Sequence, residues 1–70
     1  MSDLEVRNLR KYGLRRGAYD GARKRRFVLF ESLHNGNELR REFDTARERD
    51  AKCRERLEAI KQVANLIGAN

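Results

Sequence analysis

The chain has no tryptophan, no proline, one cysteine and one histidine in 70 residues. A lone cysteine cannot close an internal disulfide, and Cys53 with His34 forms no metal-ligand spacing. Neither a disulfide framework nor a zinc module is therefore encoded, and Cys53 reads as a small, semi-apolar residue on a buried helix face. No apolar run is long enough to span a membrane, and the first residues lack the apolar stretch of a signal peptide. The expectation is no membrane partner and a cytoplasmic location, or the nucleoid if DNA is bound. No Ser-His-Asp, Cys-His or paired-carboxylate arrangement is legible, and His34 beside a turn reads as a solvated imidazole. Gly13, Gly17 and Gly21 stand four apart and do not follow a predicted strand, as a nucleotide-binding loop requires. These absences point to a non-enzymatic protein with no catalytic residue, no metal and no cofactor.

What the chain has in abundance is positive charge in one place. Nine of the twenty residues from Arg7 to Arg26 are Arg or Lys, opposed only by Asp20, so this stretch carries +8 against +6 for the whole chain. The remainder is slightly acidic. Concentrated charge of this kind repels itself and releases counterions on meeting phosphate. The apolar content of 39% and charged content of 40% allow a small core only, and a chain of this length forms one domain that often gains from a partner or second subunit.

The elements follow from local pattern. Ser2 with Glu5 three residues later has capping-box spacing for a short helix over 2–12 ending at Gly13, with a strand over 5–11 as its competitor. Residues 13–26 hold three of the five glycines and read as a flexible basic segment. Phe27–Leu33 is strand-prone, and Asn35-Gly36 is a strong hairpin signal. A returning strand over 39–43 with a loop over 34–38 pairs Leu33 with Leu39, Glu31 with Arg41 and Leu29 with Phe43, matching apolar to apolar and acid to base. Thr45 and Glu48 form a second capping box. It opens a helix over 45–67 whose stripe is Ala46, Cys53, Leu57, Ile60, Val63, Ala64 and Ile67. Glu48–Lys52 and Asp50–Arg54 are spaced for i,i+4 ion pairs.

The fold expected is thus a small α+β domain: a basic N-terminal segment or arm over 1–26, then a core over 27–70 of a β-hairpin at 27–43 and a long helix at 45–67. The alternative is an all-α helical hairpin, because the three-four spacing also runs back through Phe43 and Leu39.

The function expected is nucleic-acid binding, to DNA or RNA, with regulation as one use. Arg7, Arg10, Lys11, Arg15, Arg16, Arg23, Lys24, Arg25 and Arg26 are the candidate phosphate contacts, and Tyr12 and Tyr19 the candidate stacking residues. If the partner is duplex DNA, a hairpin entering the major groove makes Arg40 and Arg41 candidates as well. The alternative is a protein-interaction module or small inhibitor that docks on an acidic surface of a larger assembly. The stripe of the C-terminal helix exceeds what one hairpin covers, so a homodimer through that helix is a further expectation. The hairpin-then-helix ending, with Phe43-Asp44-Thr45 leading into the helix, resembles the sheet-plus-helix arm-binding domains of phage-type integrases over about residues 26–67; this likeness of pattern assigns no contact residue.

Overall fold

A computed structural model describes residues 3–68, with side chains from Arg7 to Leu66. The elements are α1 (Asp3–Lys11), β1 (Leu14–Asp20), β2 (Arg25–Ser32), β3 (Glu38–Phe43) and α2 (Ala46–Gly68). The strands form one antiparallel sheet in the order β1-β2-β3. The domain is α+β as expected, and the helical hairpin is excluded because 25–32 and 38–43 pair as strands.

The helix α1 carries Arg10 and Lys11 in its last turn, beside the unsatisfied carbonyls. The N–H groups of Tyr12 and Gly13 donate to Leu9 O and Arg10 O at 3.1 and 3.0 Å. Gly13 then takes φ 76°, the left-handed stop that lets the chain reverse. Its carbonyl accepts from Ser32 N–H at 2.9 Å, which fixes the start of β1 against β2. Ser2, expected as the N-cap, lies outside the described residues, as does the side chain of Glu5.

Residues 13–26 differ from the flexible segment expected. They form β1 and a tight turn into β2. β1 pairs along its length, from Leu14 opposite Glu31 to Asp20 opposite Arg25. At the turn Gly21 N–H donates to Lys24 O at 2.9 Å, and a Cβ on Gly21 would stand 2.8 Å from that oxygen. This glycine is needed for close approach, not for freedom.

The second hairpin also differs from expectation, in register. Phe27 faces Phe43, Leu29 faces Arg41 and Glu31 faces Leu39, two residues away from the expected pairing. The loop still has five residues but runs 33–37, closed by Leu33 N–H to Asn37 O at 2.8 Å and Asn37 N–H to Asn35 Oδ1 at 3.0 Å. A shift of two keeps every side chain on its face. It sets phenylalanine opposite phenylalanine, and Arg41 reaches Glu31 diagonally at 3.0 Å instead of directly.

The helix α2 starts as expected, with Glu48 N–H donating to Thr45 Oγ1 at 3.2 Å. Cys53, Leu57 and Ile60 pack on Leu29 and Phe43, and also on Leu9 and Leu14 from the N-terminal third. The expected i,i+4 ion pairs are replaced by Lys52–Glu55 at 3.2 Å and by Asp50 with Arg49 and Arg16. Both helices contribute to this one cluster, so they lie on the same face of the sheet. Beyond Ile60 the helix outruns the sheet, leaving Val63 56% and Leu66 72% exposed; the side chain of Ile67 lies outside the described residues.

Leu29 is fully buried at the centre of the cluster, and Leu29→Ala is expected to cost about 3 kcal/mol in a denaturant titration. Gly13→Ala forces a left-handed backbone on a residue with a Cβ, 3.3 Å from Ser32 Cβ, and is expected to cost about 1–2 kcal/mol.

Candidate nucleic-acid interface

Alternation along the strands sorts the basic residues onto two faces. The inner face, toward the helices, presents Leu14, Arg16 and Ala18 from β1, Phe27, Leu29 and Glu31 from β2, and Leu39, Arg41 and Phe43 from β3. The opposite face is arranged in rows across the sheet: Arg15, Phe30 and Arg40, then Gly17, Val28 and Glu42, with Tyr19 beside Arg26 at the far end. Among the described residues no helix or loop lies over this second face.

Charge on the inner face is consumed internally. Glu31 is the one buried charged residue among those described, at 7% exposure. Arg56 of α2 donates to it from both Nε and Nη2 at 2.8 Å, a two-point fork, and Arg41 adds Nη1 at 3.0 Å. The hydrogen bond from Arg56, then that from Arg41, holds the Glu31 carboxyl below the usual carboxylate range, against the opposing pull of burial. A second cluster joins Arg16 to Asp50 at 3.5 Å and Asp50 to Arg49 at 3.0 Å. Arg49 also donates to Gly17 O at 2.9 Å and lies 5.3 Å from the Phe27 ring centre. Of two candidate contacts, Arg16 is thus a sheet-to-helix tie through Asp50 and Arg41 a strand-to-strand tie through Glu31.

The open face keeps its cations at the surface. The Arg15 guanidinium lies 4.1 Å from the centre of the Phe30 ring, and Arg40 lies 5.5 Å from that of Tyr19. These rings hold the arginine stems flat by cation–π attraction. Val28, although on this face, is only 2% exposed. Arg15 pairs with Glu38 at 3.3 Å, and Arg40 with Glu42 at 2.7 Å.

The turn between β1 and β2 carries Arg23 and Lys24, and Arg25 opens β2 at the same end of the sheet. Lys24 reaches Asp44 at 3.0 Å, Arg26 pairs with the same carboxylate, and Arg25 meets Asp20 at 3.5 Å. The hydrogen bond and charge of Lys24, followed by the charge of Arg26, hold the Asp44 carboxyl below its ordinary value. Asp44 stands two residues before α2, so it ties the basic turn to the approach to that helix.

The thirteen candidates therefore separate. Arg15, Tyr19, Arg26 and Arg40 share the open face, with Arg23, Lys24 and Arg25 at its end. Arg7, Arg10 and Lys11 are exposed on α1, on the helical side. Tyr12 stands there too, with Lys11 and Lys61 Nζ at 5.7 and 5.9 Å from its ring centre, so the two tyrosines do not form one stacking surface. Phe30, Val28 and Glu42 belong to the open face and escaped the sequence reading; the period of two, counted from the inward Leu29, would have placed all three.

A groove of about 480 Å³ lies on the other side, beneath the 33–37 loop, lined by Tyr12, Leu33, His34, Ile60, Val63 and Ala64 among others. Among the described residues no group of three His, Cys, Asp or Glu is placed to hold a metal, and no helix is long and apolar enough to cross a membrane. No family model, curated protein or solved structure matches this chain.

The Glu31 fork has a defined pH signature. Because the folded carboxyl is held low, its contribution is complete above about pH 5 and is lost as pH falls through the folded value. Glu31→Gln is expected to lower stability at neutral pH by about 2 kcal/mol and to flatten the acid limb of melting temperature against pH. An unchanged acid limb would show that other carboxylates carry it.

Proposed function

We propose that this protein is a small, non-enzymatic nucleic-acid-binding domain that applies the open face of its sheet to duplex DNA. The observation that carries this reading is a bare, three-stranded face on which Arg15, Arg26 and Arg40 stand over paired backbone, with a basic turn at one end. The axes of three strands span about 10 Å, comparable with the roughly 12 Å width of the B-form major groove, which strands can enter. Arginine forks at the centre of such a face meet base edges, and Arg23, Lys24 and Arg25 at the turn meet the phosphate backbone.

Duplex is favoured over single strands by the state of the rings. Phe30 and Tyr19 each have a guanidinium over them, so the face offers N–H donors outward and not bare rings for bases to stack upon. The deep, narrow major groove of A-form RNA does not admit a sheet. The surface ion pairs of Arg15 and Arg40 are weak in water, and their exchange for phosphate or base contacts is readily reversible. A regulatory role and a location in the cytoplasm or nucleoid belong to the same proposal.

One observation favours a second reading, a protein-interaction module. The exposed Val63 and Leu66 and the groove beside them offer an apolar surface away from the open face, suited to a second copy or another protein.

Fluorescence anisotropy with labelled duplex DNA, single-stranded DNA and RNA, titrated across salt, separates these readings. Duplex binding is expected to be tightest and steeply salt-dependent. Arg23→Ala with Lys24→Ala is expected to weaken binding to every duplex and to reduce the salt slope by about two, Arg15→Ala with Arg40→Ala to weaken it about tenfold per arginine, while Val63→Ala with Leu66→Ala leaves it unchanged. Absence of binding to all three polymers at low salt would overturn the proposal and favour the protein partner.

A further inference from the structure

Glu42 is out of keeping with its surroundings. It sits in the middle row of the open face, across β2 from Gly17, with Tyr19, Arg40 and Arg26 as its polar partners. Tyr19 Oη donates to its Oε1 at 2.5 Å and Arg40 Nη2 to the same oxygen at 2.7 Å. Its Oε2 faces Arg26 Nη2 at 3.8 Å, beyond hydrogen-bond range. The two hydrogen-bond donors come from the edge strands β1 and β3, so the carboxylate is held at a fixed point of the face, and the hydrogen bond from Tyr19 leads the influences that keep it ionised. The side chain remains 35% exposed. A carboxylate has about four lone-pair positions; two are occupied on Oε1, and those of Oε2 remain for a donor arriving from outside.

A surface that only tracks phosphate gains nothing from a carboxylate at its centre, because like charge opposes the approach. A surface that reads base edges does gain. In the major groove the amino group of cytosine is the donor a glutamate accepts from, whereas glutamine pairs with adenine through a donor and an acceptor together. Resting on the reading of the open face as a duplex DNA contact, we propose that Glu42 is its specificity-determining residue: it accepts from a cytosine amino group in the major groove and opposes indiscriminate phosphate contact. Tyr19 is then a positioning residue, holding Oε1 so that Oε2 points outward. Arg15 and Arg40, on the two edge strands of the adjacent row and about 10 Å apart, are candidates for guanine contacts.

The test compares the full chain with Glu42→Gln and Glu42→Ala, using anisotropy on random-sequence duplex and enrichment from a randomised duplex pool. Wild type is expected to enrich a site with a G·C pair at one position, preferred about tenfold. Glu42→Gln is expected to bind random duplex about three- to tenfold more tightly and to move the preference at that position toward A·T. Glu42→Ala should show the same gain on random duplex with no base preferred there. Melting temperatures near that of wild type show that the face is intact in both variants.

Unchanged affinity with an unchanged enriched site in both variants would overturn the assignment while leaving the duplex reading standing. Weaker binding of random duplex by the variants would also overturn it, because the carboxylate would then support the face and not oppose phosphate. Failure of wild type to bind any duplex would instead overturn the reading of the open face, and this inference with it.

Discussion

The two-point hydrogen bond from Arg56 to Glu31 decides which side of the sheet is covered. Glu31 stands on the inner face of the central strand and is nearly sealed from water. An ionised carboxylate there is costly without partners, so the arrangement persists only while α2 lies across that face and delivers Arg56. Apolar contact through Leu29, Cys53, Leu57 and Ile60 drives the layers together, and the fork fixes where along the sheet the helix rests. With α1 drawn into the same cluster through Leu9, all helical material is on one side and the other is left bare. The geometry of the candidate interface is a consequence of this one-sided packing.

The small core explains why so much arginine is turned inward. A 70-residue chain with five buried apolar side chains among those described cannot tile a three-stranded face with hydrocarbon alone. Arg16, Arg41, Arg49 and Arg56 complete it, closing on Asp50 and Glu31. Such ties contribute modestly to stability, because desolvation offsets much of the attraction, yet they penalise any register that leaves a charge alone. In the observed pairing of β2 with β3, Glu31 stands opposite Leu39 and takes Arg41 diagonally and Arg56 from α2.

Much of the fold was legible because it was local. The Thr45–Glu48 cap, the apolar run at 27–33 and the Asn35-Gly36 turn each carry their own physics within a few residues. β1 was not legible, for a specific reason. Its inward positions hold Leu14, Arg16 and Ala18, and its outward positions hold Arg15 and Tyr19, so polarity alternation is nearly absent. It is a strand because Leu14 fills the core and its backbone pairs with β2, both non-local facts. The same inversion hid the candidate site. Charge density drew attention to 7–26 as a unit, but Arg15 and Arg16 are neighbours in sequence and opposites in the structure. Phe30 and Glu42, which shape the open face, are placed on it by the period of two but carry no functional marker, because one belongs to an apolar run and the other to the carboxylates that alternate with bases.

The most direct measurement is the mapping of backbone amide and aromatic chemical shifts by NMR as duplex DNA is added to the labelled protein. Perturbations concentrated on Arg15, Tyr19, Phe30, Arg40 and Glu42, continuing into the 21–24 turn and sparing the exposed side of α2, are the predicted result. Perturbations confined to α1 and α2 with a silent sheet face would contradict it, and would place the functional surface on the helices.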